Sequence, residues 1–229
     1  MKYSKESLIE LINSYKASQH STRNSEEHLS KYLELAIQVQ QEIEESSKDD
    51  KIKSQARKNL VINFVTALEV YFRDIIIEFA GKWDADGFTF LLKEKISLNE
   101  AFDLFSNAKV SKEMIIAKFS SFQNLESINF VYGNLLATKD FVGDLDRFAR
   151  EIEKPLFEGG SLFSLKDIQE WRTLLSALLS SRHKFVHESN VDEILEPNKI
   201  YEYLGLIVCL LSSFERFIKH KLGIVGSES

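Results

Sequence analysis

Cysteine occurs once in this chain of 229 residues, proline twice and glycine nine times. A single cysteine cannot close a disulfide within its own chain, and Cys209 lies inside the apolar run LGLIVCLLSSF, where it reads as a small buried hydrophobe. A reducing, cytoplasmic setting fits that usage. The scarcity of Pro and Gly removes the punctuation of a strand-and-turn fold, and no stretch alternates apolar and polar residues as a half-buried strand would. No apolar run approaches the roughly 18 residues of a membrane span. The opening MKYSKESLIELINSYK carries charges at helical spacing where a secretory signal would have an apolar block. An excess of positive charge is missing too. Lys and Arg number 29 against 35 Asp and Glu, a formal net charge of −6. No global field draws such a chain to nucleic acid or to an anionic membrane, so any polyanion site must be local.

Hydrophobic residues make up 44% of the chain, enough for one sizeable core. They recur at three- and four-residue intervals, which predicts an all-α, up-and-down helical bundle. Residues 4–17 and 25–46 form two amphipathic helices, the second with Leu29, Tyr32, Leu33, Ala36, Val39 and Ile43 on its stripe. Together residues 1–49 are expected to be an N-terminal helical extension packing on the bundle. The bundle itself spans 50–222. Its first helix, 50–80, contains NLVINFVTALEVYFRDIIIEFA, apolar on most of its circumference, with Gly81 as its stop. Residues 82–137 are choppier and read as an insertion of short helices. There Ser97-Leu-Asn-Glu100 forms a capping box and Ser111 a second cap. Helices then follow at 139–154, 165–188 (Ser164 with Asp167 at its start) and 199–222. The last ends in Lys-His-Lys before Gly223, cations where the helix dipole favours them. Residues 223–229 are left as a flexible tail.

One short stretch stands out. SSRHKFVHES, residues 180–189, gathers an Arg, a Lys and two of the five His at the end of the next-to-last helix. At about 100° per residue, Ile168, Trp171, Leu174, Leu175, Leu178, Leu179 and Val186 share one arc, and Arg182 falls near its middle. A guanidinium cannot shed its charge, so it must meet an acid, meet a ligand's anion, or line a wet cleft or subunit interface. Three readings follow. The helix can fray into solvent by Ser180 and carry its cations as decoration, although Phe185 and Val186 argue for continued packing. His183 and His187, four apart, can chelate a metal. Lys184 stands where the zinc-protease pattern needs a glutamate, however, and no second His or Cys cluster is evident, so no metal or other cofactor is expected. Finally, Arg182 and His187 can act on RNA, the imidazole moving the proton of a 2′-hydroxyl or leaving oxygen and the guanidinium gripping the phosphate. A five-residue offset sets those two side chains roughly 140° apart on a helix, which favours two copies facing each other across a two-fold axis.

Arg182-x4-His187 resembles the R-x(4 to 6)-H signature of HEPN domains (higher eukaryotes and prokaryotes nucleotide-binding). The upstream stretch NFVTALEVYFRDII, 63–76, is similar to the first long helix of that superfamily, particularly its RiboL-PSP branch. The resemblance covers about residues 50–222. It implies an all-α bundle with metal-independent endoribonuclease activity, in toxin–antitoxin, phage-defence or RNA-processing systems, with Arg and His of two protomers lining one cleft. The implied partners are RNA, a second copy of the chain and an antitoxin or defence-system protein. By the same resemblance Arg182 and His187 are the signature pair, and His183 occupies the position after the arginine. Ser189 stands where the toxin partners of minimal nucleotidyltransferases have a tyrosine, which argues against that particular pairing. The alternative is a non-catalytic HEPN-like module that binds a nucleotide or a protein and keeps Arg182 for an anion.

Glu69 lies at the edge of the apolar arc of the first bundle helix. Two partners offer themselves: Arg73 one turn along, or Arg182 or a motif histidine across the bundle, which Glu69 would then orient. Lys184 is a candidate contact for the substrate backbone. Trp171 and the aromatics of 63–79 are spaced for core packing rather than for stacking on bases.

Overall fold

The computed structural model describes residues 35–36, 38–45, 49–95, 111–152, 164–187 and 194–224. Among them every regular element is helical and no strand occurs. The helices are α1 (Asp50–Glu78), α2 (Ala85–Lys95), α3 (Lys112–Phe119), α4 (Leu125–Leu135), α5 (Phe141–Arg147), α6 (Trp171–His187) and α7 (Pro197–Lys221). None of them is long and apolar enough to cross a membrane. Residues 38–45 are helical as well, with Val39 and Ile43 against the core. The expected helix 4–17 and the Ser97–Glu100 capping box lie outside the described residues.

α1 is the axis of the bundle. Asp49 opens it, its side chain accepting from the Lys51 amide, and the left-handed Gly81 (φ +76°) follows its end. Val61, Phe64, Val65, Leu68, Phe72, Ile75 and Ile76 are fully buried, each stabilising the fold by about 1.5–3 kcal/mol of transfer free energy. Around Phe72 an aromatic cluster joins α1, α4, α5 and α7. Phe72, Phe122, Tyr132, Phe141 and Phe214 have ring centroids 4.9–6.3 Å apart. The Tyr132 hydroxyl donates to the Phe72 carbonyl. Burial, with the charge of Asp74 adding to it, pushes that phenol well above its ordinary range. Through Leu91, Ile116 and Ile128 the helices α2, α3 and α4 share one core with α1. α2 and α4 cross so closely that a Cβ on Gly87 would overlap the Asn134 carbonyl oxygen.

Three expectations need correcting. Ser164 and Asp167 do form a capping box, but it closes a single 3-10 turn, Leu165–Asp167. The long helix starts only at Trp171, after Glu170 has turned into left-handed backbone (φ +53°). The reason is packing. Trp171 is buried and its indole N–H donates to Asp146 at 2.7 Å, which fixes the first turn of α6 against α5. Secondly, the α-helix within 139–154 spans only Phe141–Arg147 and passes into a π-helical turn, Phe148–Ile152. Thirdly, Val186 does not continue the buried arc of α6. It is half exposed, while its neighbour Phe185 is the side chain that packs against the core.

One buried polar contact had no sequence signal. Arg57, on α1, donates to the Leu195 carbonyl at 2.7 Å and to Glu44 Oε1 at 2.6 and 3.0 Å. The Leu195 amide donates to Ser54 Oγ at 2.8 Å. Burial alone would raise the Glu44 carboxyl, but Arg57 and Lys53 hold it below the usual carboxylate range. Residues near 44, α1 and the entry to α7 are thus clasped at one guanidinium.

Candidate functional site

α6 leaves the core as it ends. Leu178 and Leu179 are buried, Ser181 is half-buried, and His183, Val186 and His187 are exposed. The helix stays regular to His187 and does not fray at Ser180. Phe185 is the last residue packed on the core, and the Lys58 ammonium of α1 sits 5.7 Å from its ring centroid. Lys184 is half-buried in the same turn.

Arg182 is neither sealed in nor free. Its side chain is 31% exposed, and its Nη1 lies 3.6 Å from Oε1 of Glu69. Glu69 itself is buried, and its other oxygen lies 3.6 Å from Nη2 of Arg73. One carboxylate therefore stands between two guanidiniums, one from its own helix and one from across the bundle, and both candidate partners of Glu69 are met at once. Neither approach is close enough for a hydrogen bond. Glu69 Oε1, Arg73 Nε and Arg182 Nε are all buried without a hydrogen-bond partner among the described residues. Groups in that condition are unusual in a folded interior.

The two imidazoles lie beside this cluster on the outer face of the helix. His183 and His187 have ring centroids 4.7 Å apart and planes inclined at 47°. Among the described residues the Glu69 carboxylate faces Arg182, and neither ring is bonded to it. The end of α6 thus offers a permanent cation, partly exposed and 3.6 Å from its acid, and two exposed imidazoles. Among the described residues no three His, Cys, Asp or Glu side chains converge as a metal site. Glu188 and Ser189 lie outside them. Sequence reasoning did not single out Lys58, and it weighed Arg73 only as a helix-surface partner. Both stand on α1, and only the packing of α6 onto that helix brings them to the motif.

A helical bundle that presents an arginine and two imidazoles at the end of its next-to-last described helix is what the resemblance to HEPN domains implied. The model of the RiboL-PSP-HEPN family matches residues 26–220, and the chain belongs to that family. The match begins ahead of α1 and takes in the residues around Glu44. Comparison with curated proteins and with solved structures gives no match.

Proposed function

We propose that the protein is a metal-independent endoribonuclease of HEPN type, acting as a homodimer on RNA in a toxin–antitoxin or phage-defence setting. The observation that carries this is Arg182, a third exposed and only loosely paired with Glu69, beside the two exposed imidazoles. In the reaction one imidazole, that of His187, takes the proton of a 2′-hydroxyl and the 2′-oxygen bonds to phosphorus. The bond from phosphorus to the 5′-oxygen then breaks, and a protonated imidazole returns a proton to the departing oxygen. The products are a 2′,3′-cyclic phosphate and a 5′-hydroxyl. Arg182 stabilises the charge gathering on the phosphoryl oxygens, His183 assists, Glu69 keeps the guanidinium aimed until substrate arrives, and Lys184 contacts the strand. Two copies related by a two-fold axis bring a second Arg and His to the same phosphate and offset the wide angle between the pair on one helix.

The test is cleavage of single-stranded RNA by purified protein in the presence of EDTA. His187→Ala and Arg182→Ala should each lower the rate about 100-fold or more while the far-UV circular dichroism is unchanged. Cleavage of DNA, an absolute requirement for a divalent metal, or full activity in His187→Ala refutes the reading. The ion pair of Arg182 with a carboxylate of its own chain supports a second reading, a non-catalytic module for a nucleotide or protein partner. That reading expects an anion to bind at Arg182 and no RNA to be cut.

A further inference from the structure

The two ends of α6 differ in charge. Its last turns carry Arg182, His183, Lys184 and His187, whereas its first half runs beside an acidic groove shared with α7. The groove has a volume of about 590 Å³. Ile168, Leu174, Ala177, Gly205 and Leu206 give it an apolar lining, and Tyr201 adds a ring that is 47% exposed. Thr173, Ala177 and Glu202 are exposed, so the groove is open on its outer side. The backbone of α7 is uncovered at Gly205, where a Cβ would meet no neighbouring atom within 4 Å among the described residues. Small residues on both helices, Ala177 and Gly205, let a third backbone come close.

Charge selects among the possible occupants. Three carboxylates, Asp167, Glu170 and Glu202, line the groove against one ammonium, Lys199, whose Nζ is 2.6 Å from Glu202. That excess repels a phosphate backbone or an anionic lipid surface, and it disfavours a second copy of a chain whose own formal charge is −6. A basic protein segment is favoured. The shape agrees, because an apolar trough between two neighbouring helices takes the apolar stripe of an amphipathic helix at positions i, i+3 or i+4, and i+7. Lysine or arginine beside that stripe would then meet the three carboxylates.

We propose that the groove between α6 and α7 docks an amphipathic helix of a partner protein, apolar on one face and flanked there by lysine or arginine. The partner would not cover the motif. At 100° per residue Arg182 points about 130° away from the centre of the face formed by Thr173, Leu174 and Ala177, and both motif histidines lie more than a turn beyond Ala177. The inference stands apart from the endoribonuclease reading, and Arg182→Ala should bind the partner helix as the wild type does.

The experiment uses the full chain and a fluorescein-labelled helical peptide of about four turns, with leucines on one face and lysines flanking them. A matched peptide carries glutamate in place of each lysine. Anisotropy should show binding of the lysine peptide, weakening as salt is raised, and little binding of the glutamate peptide. Ala177→Arg, which places a charged side chain in the trough, should weaken the lysine peptide about tenfold or more, and so should Glu170→Lys combined with Glu202→Lys. The double reversal should also gain affinity for the glutamate peptide. All three positions are exposed, so circular dichroism should be unchanged. Phe130→Ala, at an exposed aromatic on α4, should have no effect. A wild type that does not bind the lysine peptide, or groove variants that bind it undiminished, would overturn the proposal. A wild-type oligomer that Ala177→Arg dissociates, seen by light scattering, would also overturn it and give the groove to a second copy. RNA cleavage measured on the same variants should be unaltered, and its absence in wild type would remove the endoribonuclease reading without touching this one.

Discussion

Removing Arg182 should be structurally cheap, and removing Arg182 and Arg73 together should not. At 3.6 Å and an effective dielectric constant near 20, each guanidinium attracts the Glu69 charge by about 4–5 kcal/mol before desolvation. Partial exposure of both arginines and the lack of a hydrogen bond reduce the net value of either pair to about 1 kcal/mol. Arg182→Ala leaves Glu69 still neutralised by Arg73, so a loss of about 1 kcal/mol is expected, and Arg73→Ala should behave alike. The double variant leaves a buried carboxylate with no counter-charge among the described residues, for which about 3–5 kcal/mol is typical. The two changes should therefore be non-additive by about 2 kcal/mol. Urea unfolding of wild type, both single variants and the double variant, followed by circular dichroism, gives the four values directly. The functional consequence is separable: Arg182→Ala should be folded and inactive. A single Arg182→Ala change that is as destabilising as the double would refute the reasoning, because it would make Arg182 a structural cation with nothing to spare for a phosphate.

Two further outcomes are expected. Burial would raise the Asp146 carboxyl, but the Trp171 indole and Arg150 bonded to it, with Arg172 close by, hold it below the usual range. A carboxylate depressed on folding contributes stability above its unfolded value, near pH 4, and loses it as pH falls through the folded one. Asp146→Asn should accordingly flatten the decline in stability below about pH 4, read from urea midpoints against pH, and an unchanged decline would remove Asp146 from the account. Gly87→Ala should cost about 1–3 kcal/mol by forcing α2 off α4, a fall in Tm of about 3–10 °C, and an unaltered Tm would mean that the crossing can widen freely.

What could be read in advance follows from how local each signal is. The long apolar stretch of α1, its glycine stop and the Ser111 cap involve residues a few positions apart, and they appear where the spacing puts them. The Ser164 capping box was legible as a cap, yet what it caps was decided elsewhere, by the Trp171 indole, seven residues later, which anchors the start of α6 to Asp146. Val186 has the right phase for the buried arc, but phase does not reveal where the neighbouring helices stop covering it. Arg182 stood out because a permanent charge interrupts an apolar stripe. That Glu69 meets Arg182 and Arg73 equally, and that Lys58 stands over Phe185, depends on how α1 and α6 lie against one another. No spacing within a single helix encodes that.

The Arg57 clasp bears on where this molecule can be cut. A fragment starting at residue 50 would take away the carboxylate that answers a nearly inaccessible guanidinium, and the disturbance would surface at Leu195, the threshold of α7, only eight positions past His187. Glu44 is thereby a brace for the approach to the last helix, and trimming the chain past it would be felt there first.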